Sequence, residues 1–136
     1  LGRPYHELGV SISRRCGLVL AGFAPDRAVG VDLEPGDAVS TGEVVRLARD
    51  HFALREAVAV SGQTEAAARD LFLRLWVAKE AVLKTTGRGI YDGLDEPDLH
   101  SHLAEIVTSA PILVAAGSRI LKTTLVCKTW KLSGVG

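Results

Sequence analysis

Short runs of hydrophobic residues near the start of the chain predict an antiparallel strand arrangement. Two runs of strand length cover residues 8–13 and 16–23, and the polar pair Arg14-Arg15 is the turn predicted between them. A third strand is predicted over residues 28–33, and it ends at Pro35, because proline has no backbone N–H for a central ladder. The first third of the chain therefore predicts a three-stranded antiparallel meander.

The hydrophobic spacing changes from that of strands to that of helices in the middle of the chain. A helix is predicted over residues 43–51, with Ser40 or Thr41 as its cap, and a second short helix follows over 54–60. Because Gly62 lies directly after this second helix, it marks a break before the next element.

A longer helix is predicted from a cap at Thr64 to about Thr86, and Gly87 is suited to end it in the left-handed conformation. One apolar stripe recurs at helical spacing and should face the core. Its members are Leu71, Leu75, Ala78 and Val82.

The last third of the chain returns to strand-like patterning, with strands predicted over residues 103–108, 112–116 and 120–131. Strands followed by helices and then strands indicate an α+β layer structure. A chain of 136 residues favours a single domain over 1–136.

The charge balance and the cysteine content narrow the function classes. Sixteen Lys and Arg residues balance sixteen Asp and Glu residues, which argues against a nucleic-acid or membrane-surface partner, since both need a basic excess. No apolar stretch approaches the length of a membrane span. Cys16 and Cys127 lie within apolar runs, so they are expected to be small buried hydrophobic residues in a reducing, cytoplasmic setting.

Charged residues on the third predicted strand and the long helix are the candidate chemistry. Asp32 and Glu34 are two positions apart, so both carboxylates project from one strand face. Glu80 and Lys84 are one helical turn apart, whereas Lys79 lies about 100° around the helix from Glu80. Three converging carboxylates would form a hard oxygen site suited to Mg²⁺, and a neighbouring lysine would suit a phosphate.

The same residues also fit a simpler interpretation. Asp32 and Glu34 could form the polar side of an exposed strand, and Glu80 with Lys84 could be an ordinary surface pair. Spacing alone favours this interpretation, because paired charges are common on solvated faces. A purely structural α+β domain would follow from it.

Two motifs in order give this chain a resemblance to the 4′-phosphopantetheinyl transferase superfamily. Gly30-Val31-Asp32-Leu33-Glu34 resembles its G-[VI]-D-x-E strand, and Trp76-Val77-Ala78-Lys79-Glu80-Ala81-Val82-Leu83-Lys84 resembles its [WF]-x-x-K-E-x-x-x-K helix. Gly87-Arg88-Gly89-Ile90 is similar to the usual continuation. Gly2-Arg3-Pro4 is similar to the G-K-P motif of the Sfp-like class, and Ser13-Arg14 stands where that class has Ser-His.

The resemblance implies a Mg²⁺-dependent transfer of the 4′-phosphopantetheine arm of coenzyme A to a serine of an apo acyl or peptidyl carrier protein. It implies an α+β fold in which an antiparallel sheet packs against a long helix. Asp32, Glu34 and Glu80 would hold the metal ion. Glu80 would help to take the proton from the attacking serine. Lys84 would neutralise charge on the breaking pyrophosphate.

The remaining residues implied by the resemblance bind coenzyme A. Besides Lys84, they are Arg3, Ser13, Arg14 and Lys79.

The matched motifs belong to the second half of the two-half Sfp-like enzymes, whereas single-domain holo-acyl-carrier-protein synthases have chains of about this size. The expectation is a homo-oligomer of the holo-acyl-carrier-protein synthase type that completes its site between subunits. A fragment of a longer protein is a further interpretation. A degenerate relative that binds coenzyme A or a carrier protein without turnover is another.

Overall fold

The computed structural model describes residues 7–26, 28–86, 94–108, 112–116 and 119–125. It has the α+β architecture that the sequence predicts, with antiparallel strands and one long helix. The elements in chain order are β1 (Leu8–Arg15), β2 (Leu18–Pro25), β3 (Leu33–Pro35), α1 (Val44–His51), α2 (Leu54–Ser61), α3 (Glu65–Thr86), α4 (Leu103–Thr108), β4 (Ile112–Ala116) and β5 (Arg119–Leu125).

The first two strands form a hairpin whose turn is not where the sequence predicted it. β1 pairs antiparallel with β2, with Arg15 opposite Leu18, so the turn consists of Cys16 and Gly17. Both turn residues have positive φ, 51° and 76°, as a two-residue hairpin of type I′ requires. The turn predicted at Arg14-Arg15 is therefore wrong, since both arginines lie in β1. Cys16 is exposed rather than buried, and Cys127 lies outside the described residues.

The predicted three-stranded meander is also wrong. Residues 28–32 have no regular secondary structure, and β3 begins only at Leu33. β3 pairs antiparallel with β5, with Glu34 opposite Thr124, in a second sheet of order β3-β5-β4. Because β3 is an edge strand of this sheet, Pro35 can end it without removing a ladder bond from a central strand.

Three strands were predicted in the last third of the chain, and within the described residues two of them are strands and one is a helix. Residues 103–108 form the helix α4 instead of a strand, after a 3₁₀ turn over His100–His102. Asp98 Oδ1 accepts a hydrogen bond of 2.9 Å from the backbone N–H of His100 at the start of that turn. β4 coincides with the predicted strand at 112–116, and β5 covers the first part of the strand predicted over 120–131.

The helices α1, α2 and α3 lie within one residue of their predicted bounds, but the expected cap of α1 is wrong. Glu43 is the residue preceding α1, and its side chain makes no capping bond. Ser40 instead donates its hydroxyl hydrogen to Glu43 Oε2 at 2.9 Å. The carbonyl of Thr64 accepts the first bond of α3 from Ala68 N, and Gly87 lies outside the described residues.

The helix α3 is the centre of the core. Its predicted stripe is buried as expected, and the burial extends to nearly every residue from 71 to 83, since α1, α2, α4, β3 and β5 all contact it. Phe52 stacks on Phe72 with ring centroids 4.9 Å apart, and Trp76 lies 5.8 Å from Phe72. None of the helices within the described ranges is long and apolar enough to cross a membrane.

A close contact between Gly30 and the backbone of α3 brings the two sequence motifs together. A Cβ atom built on Gly30 would collide with the carbonyl group of Ala81 and would lie 3.0 Å from the side chain of Thr85. Glycine is therefore required where the chain passes over the helix. This crossing lies two residues before Asp32 and places it beside the last turns of α3.

Replacing Gly30 with alanine should destabilise the fold, because backbone rather than a flexible side chain blocks the added methyl group. We expect a loss of about 3 kcal/mol in the free energy of unfolding, measured by urea denaturation. Gly42→Ala is the matched control, since a Cβ there meets nothing within 4 Å, and it should change stability by less than about 0.5 kcal/mol. Equal effects of the two substitutions would contradict the close contact.

Candidate active site

Asp32 is a buried carboxylate held by one hydroxyl and one ammonium group. Ser13 donates its hydroxyl hydrogen to Asp32 Oδ1 at 3.2 Å, and Lys84 Nζ donates to the same oxygen at 3.0 Å. Lys84 also donates to the carbonyl oxygen of Val31 at 2.8 Å. The other carboxylate oxygen of Asp32, Oδ2, is buried and has no hydrogen-bond partner. One side of Asp32 is thus fixed, and the other is available to a cation.

Glu34 is held by an arginine from the neighbouring hairpin. Arg15 Nε donates a hydrogen bond of 3.1 Å to Glu34 Oε1, and a terminal guanidinium nitrogen of Arg15 lies 3.0 Å from the same oxygen. The side chain of Glu34 is 11% exposed, whereas that of Arg15 is 58% exposed. Burial raises the pKa of Glu34, and the negative charge of Asp32 adds to the rise, while the Arg15 guanidinium opposes it.

Strand alternation explains why these groups meet. Ser11, Ser13 and Arg15 share one face of β1, and this face lies alongside residues 31–34. Ser11 Oγ accepts a hydrogen bond from Val31 N at 3.1 Å, which ties the hairpin to the backbone just before Asp32. The hairpin therefore supplies a hydroxyl to the first carboxylate and a guanidinium to the second.

Glu80 reaches the same cluster from α3. It is 6% exposed, and its Oε1 is buried without a hydrogen-bond partner, like Oδ2 of Asp32. Burial raises the pKa of Glu80, and the charges of Asp32 and Glu34 raise it further, while Lys84 and Arg15 lower it. Burying two carboxylate oxygens without hydrogen-bond partners is costly, and oxygens of this kind are suited to binding a cation or holding a proton.

The donor set fits a magnesium ion that is shared with a substrate. Carboxylate oxygens are hard ligands, and Mg²⁺ is commonly bound through one or two carboxylates together with waters and substrate phosphates. No three Asp, Glu, His or Cys side chains within the described ranges are grouped so as to enclose a metal by themselves. The unpartnered oxygens of Asp32 and Glu80 therefore fit a site that phosphate oxygens complete.

Comparison with known proteins agrees with this geometry. The family model of the 4′-phosphopantetheinyl transferase superfamily matches residues 28–126, a range that contains both motifs. The chain belongs to this superfamily. A protein of Synechocystis sp. that bears the name "Putative 4'-phosphopantetheinyl transferase slr0495" is 34% identical over 86 residues, which are 63% of this chain and 34% of the relative. The match thus spans about a third of that relative's length.

Lys79, the lysine of the superfamily motif next to Glu80, is not brought to the carboxylate cluster. It is fully buried, its Nζ lies 2.7 Å from Glu56 Oε2, and it donates to the carbonyl oxygen of Pro97 at 2.6 Å. The same ammonium lies 5.3 Å from the ring centroid of Phe52. Every contact described for Lys79 is internal, so its place in this fold does not correspond to the coenzyme A contact expected from the sequence.

Of the other expected coenzyme A ligands, the structure brings Ser13 and Lys84 to the cluster. Arg14 is exposed on the opposite face of β1, because neighbouring strand residues alternate sides. Arg3 lies outside the described residues. In this superfamily member the position after the motif serine thus carries an arginine that faces away from Asp32.

Sequence reasoning missed Arg15, which is the closest cation to Glu34. The signal was present, because Gly17 suits the positive φ of a hairpin turn, and a turn at 16–17 puts Arg15 on the face of Ser13. A cavity of about 220 Å³ opens beside this ion pair. It is lined by Arg15, Glu34, Ala38, Val39, Leu47, His51, Phe72, Leu73 and Trp76.

Substituting Lys79 with methionine should destabilise the protein strongly, because Glu56 would keep an uncompensated charge at a fully buried position. We expect a loss of about 3–5 kcal/mol in the free energy of unfolding by urea denaturation. The double variant K79M/E56Q should be less destabilised than Lys79→Met alone, since a neutral amide still accepts the bond from Leu99 N. A double variant as unstable as the single one would contradict the buried ion pair.

The pKa of Glu80 predicts a specific pH dependence of stability. The ordinary pKa of a glutamate is near 4.5, and the pKa of Glu80 in the folded protein is higher. Below about pH 4.5 the carboxyl is protonated in both states, so burying it costs no charge. As the pH rises through the folded pKa, the buried carboxylate ionises and the folded state becomes less stable relative to the unfolded state. In a chelator, the free energy of unfolding of the wild type relative to Glu80→Gln should therefore fall as the pH rises over the range above about 4.5. Denaturation curves across this range measure it, and a difference that rises or stays constant would contradict the assignment.

Proposed function

We propose that this chain transfers the 4′-phosphopantetheine arm of coenzyme A to a serine of an apo acyl or peptidyl carrier protein. The observation that carries the proposal is the pair of unpartnered carboxylate oxygens on Asp32 and Glu80, next to the ammonium group of Lys84. A divalent cation on those oxygens and a lysine beside them suit a pyrophosphate better than an uncharged ligand. Membership of the superfamily supports coenzyme A as the pyrophosphate compound.

Asp32 and Glu80 would hold Mg²⁺, with Glu34 as the third carboxylate of the cluster. When bound, the metal ion neutralises charge on the pyrophosphate oxygens. Lys84 lies within 3.0 Å of Asp32, so its ammonium stands at the edge of the same site and would stabilise the charge that develops on the leaving phosphate. Ser13 and the Val31 carbonyl fix the positions of Asp32 and Lys84.

The proposed reaction is a displacement at phosphorus. The serine oxygen of the carrier protein forms a bond to the phosphorus that bears pantetheine, and the bond from that phosphorus to the bridging oxygen breaks. Adenosine 3′,5′-bisphosphate leaves with that oxygen, and the serine proton passes to Glu80, directly or through a water molecule.

The cavity beside Glu34 suits the pantetheine arm. Its volume of about 220 Å³ and its aromatic and aliphatic lining, including Phe72, Leu73 and Trp76, are compatible with an extended chain of methylene and amide groups. Arg3 and Arg14 remain predicted contacts of the nucleotide phosphates, whereas the internal contacts of Lys79 leave it out of the proposed site.

The partner class and the assembly are parts of the same proposal. The acceptor would be a carrier protein, and the enzyme would be of the holo-acyl-carrier-protein synthase type and act in the cytoplasm. Self-association into a homo-oligomer stays a prediction, which light scattering on the purified chain measures. Because the match covers 34% of the cyanobacterial relative, binding of coenzyme A or a carrier protein without turnover is the alternative function.

The test is a mass measurement on carrier proteins. The chain is incubated with coenzyme A, Mg²⁺ and a panel of apo carrier proteins, and a carrier should gain one phosphopantetheine in a reaction that a chelator stops. Binding of coenzyme A with no mass gain on any carrier would contradict transfer and support the binding alternative.

Glu80→Gln should reduce the rate of transfer at least about 100-fold, because it removes a metal ligand and the proposed base. The variant should retain the circular dichroism spectrum and the cooperative unfolding of the wild type. Glu65→Gln is the matched control, since Glu65 is an exposed carboxylate on the same helix, and its transfer rate should be unchanged. A fully active Glu80→Gln protein would overturn the assigned role of Glu80.

A further inference from the structure

Arg15 is the cation that pairs with Glu34 at the edge of the carboxylate cluster. Both of its described polar contacts go to one oxygen, Oε1 of Glu34, at 3.0 and 3.1 Å. Glu34 is 11% exposed, so without this guanidinium its charge would lie largely buried beside Asp32. Arg15 thus compensates the charge of Glu34.

The charges of the cluster show why this compensation has to change when a metal ion binds. Asp32, Glu34 and Glu80 carry three negative charges when ionised, and Lys84 and Arg15 carry two positive charges, which leaves one negative charge. A divalent cation reverses the sign of the cluster, so Glu34 then has two competing positive partners. An anionic group with two negative charges, such as a pyrophosphate, would restore the original balance.

Lys84 and Arg15 differ in how firmly they are held. Lys84 is anchored by a backbone carbonyl as well as by Asp32, and its side chain is 32% exposed. Arg15 is the last residue of β1, its side chain is 58% exposed, and it is held through Glu34. The guanidinium of Arg15 is largely in solvent, so Arg15 is the cation that can change partners once another positive charge compensates Glu34.

The space into which Arg15 can turn is already open. Arg15 and Glu34 both line the cavity of about 220 Å³ that contains Trp76 on its apolar side. A guanidinium released from Glu34 therefore faces this cavity without a rearrangement of the backbone. Its planar set of N–H donors matches two oxygens of a phosphate group.

We propose that Arg15 is a stand-in cation, that is, a cation that pairs with Glu34 until a divalent ion binds there. When the ion binds, the Arg15 side chain turns from Glu34 to a phosphate of the bound nucleotide substrate. This inference rests on the proposed function, because it requires a metal ion and a phosphate at the same cluster. The inference adds a role for Arg15, whose anionic partner changes from Glu34 to a substrate phosphate.

The exchange predicts opposite effects of one substitution on two ligands. In Arg15→Gln, Glu34 has no ion pair to give up, so the affinity for Mn²⁺ alone should rise about two- to fivefold. The affinity for coenzyme A at saturating Mn²⁺ should fall about tenfold or more, because the phosphate loses a charged donor. The free Mn²⁺ signal in electron paramagnetic resonance measures the first quantity, and calorimetric titration measures the second.

Arg55→Gln is the matched control. Arg55 is an exposed arginine, 66% exposed, that pairs with Asp98 at the same distance of 3.0 Å, and it does not line the cavity. Its removal takes one positive charge from the surface in the same way, so both affinities should stay within about a factor of two of the wild type.

Each outcome decides a different part of the account. Tighter Mn²⁺ binding together with weaker coenzyme A binding supports the exchange. Unchanged or weaker Mn²⁺ binding by Arg15→Gln, in a chain whose wild type binds both ligands, overturns the stand-in role and leaves the proposed function intact. A wild type that binds neither Mn²⁺ nor coenzyme A overturns both.

A measurement on the wild type makes the test independent of the variant's folding. The Nε–H resonance of Arg15 in a nitrogen-15 spectrum should shift when Mg²⁺ alone is added, and should shift again when coenzyme A follows. A resonance that does not respond to Mg²⁺ would overturn the exchange.

Discussion

The passage of Gly30 over the backbone of α3 is the constraint on which the site depends. The carbonyl of Ala81 stands where a side chain at position 30 would begin, so the extended segment and the helix approach more closely than any other residue allows. That approach sets Asp32 within reach of Lys84 and puts Glu34 into the same electrostatic field as Glu80. The hairpin is fixed to the same segment through Ser11, so one close contact aligns three parts of the chain.

The alignment has an electrostatic cost that the fold compensates only in part. Three carboxylates meet with little access to water, and the pKa values of Glu34 and Glu80 are raised as a result. Lys84 and Arg15 offset part of this repulsion, yet one oxygen on Asp32 and one on Glu80 remain without partners. Buried carboxylate oxygens without hydrogen-bond partners are typical of ligand-binding sites. The buried Lys79 and Glu56, in contrast, have all their described partners within the protein.

The sequence predicted α1, α2, α3 and the α+β class, because helical periodicity is a local pattern. The two motifs also contain the three carboxylates that the structure brings near one another. The sequence did not predict that residues 28–32 lack regular structure, since the partner of β3 is β5, some ninety residues later. Arg15 was assigned to a turn because the pair Arg14-Arg15 suggested a polar loop, although positive φ at Cys16 and Gly17 places the turn two residues further along. Lys79 was predicted to contact coenzyme A because it belongs to the helix motif. Its partners in the structure, Glu56 and Pro97, are distant from it in sequence. Such errors arise where the structure depends on contacts between residues that are far apart in sequence, because local patterns do not specify these contacts.

The central claim is that Asp32 and Glu80 hold a divalent ion against the pyrophosphate of coenzyme A. Paramagnetic relaxation of the phosphorus-31 signals of coenzyme A by Mn²⁺ in the presence of the chain tests it most directly. We expect the protein to increase the relaxation of the two pyrophosphate signals much more than that of the 3′-phosphate, and we expect Asp32→Asn to abolish this increase. Equal relaxation of all three phosphates, or the same selectivity in Asp32→Asn, would contradict the claim.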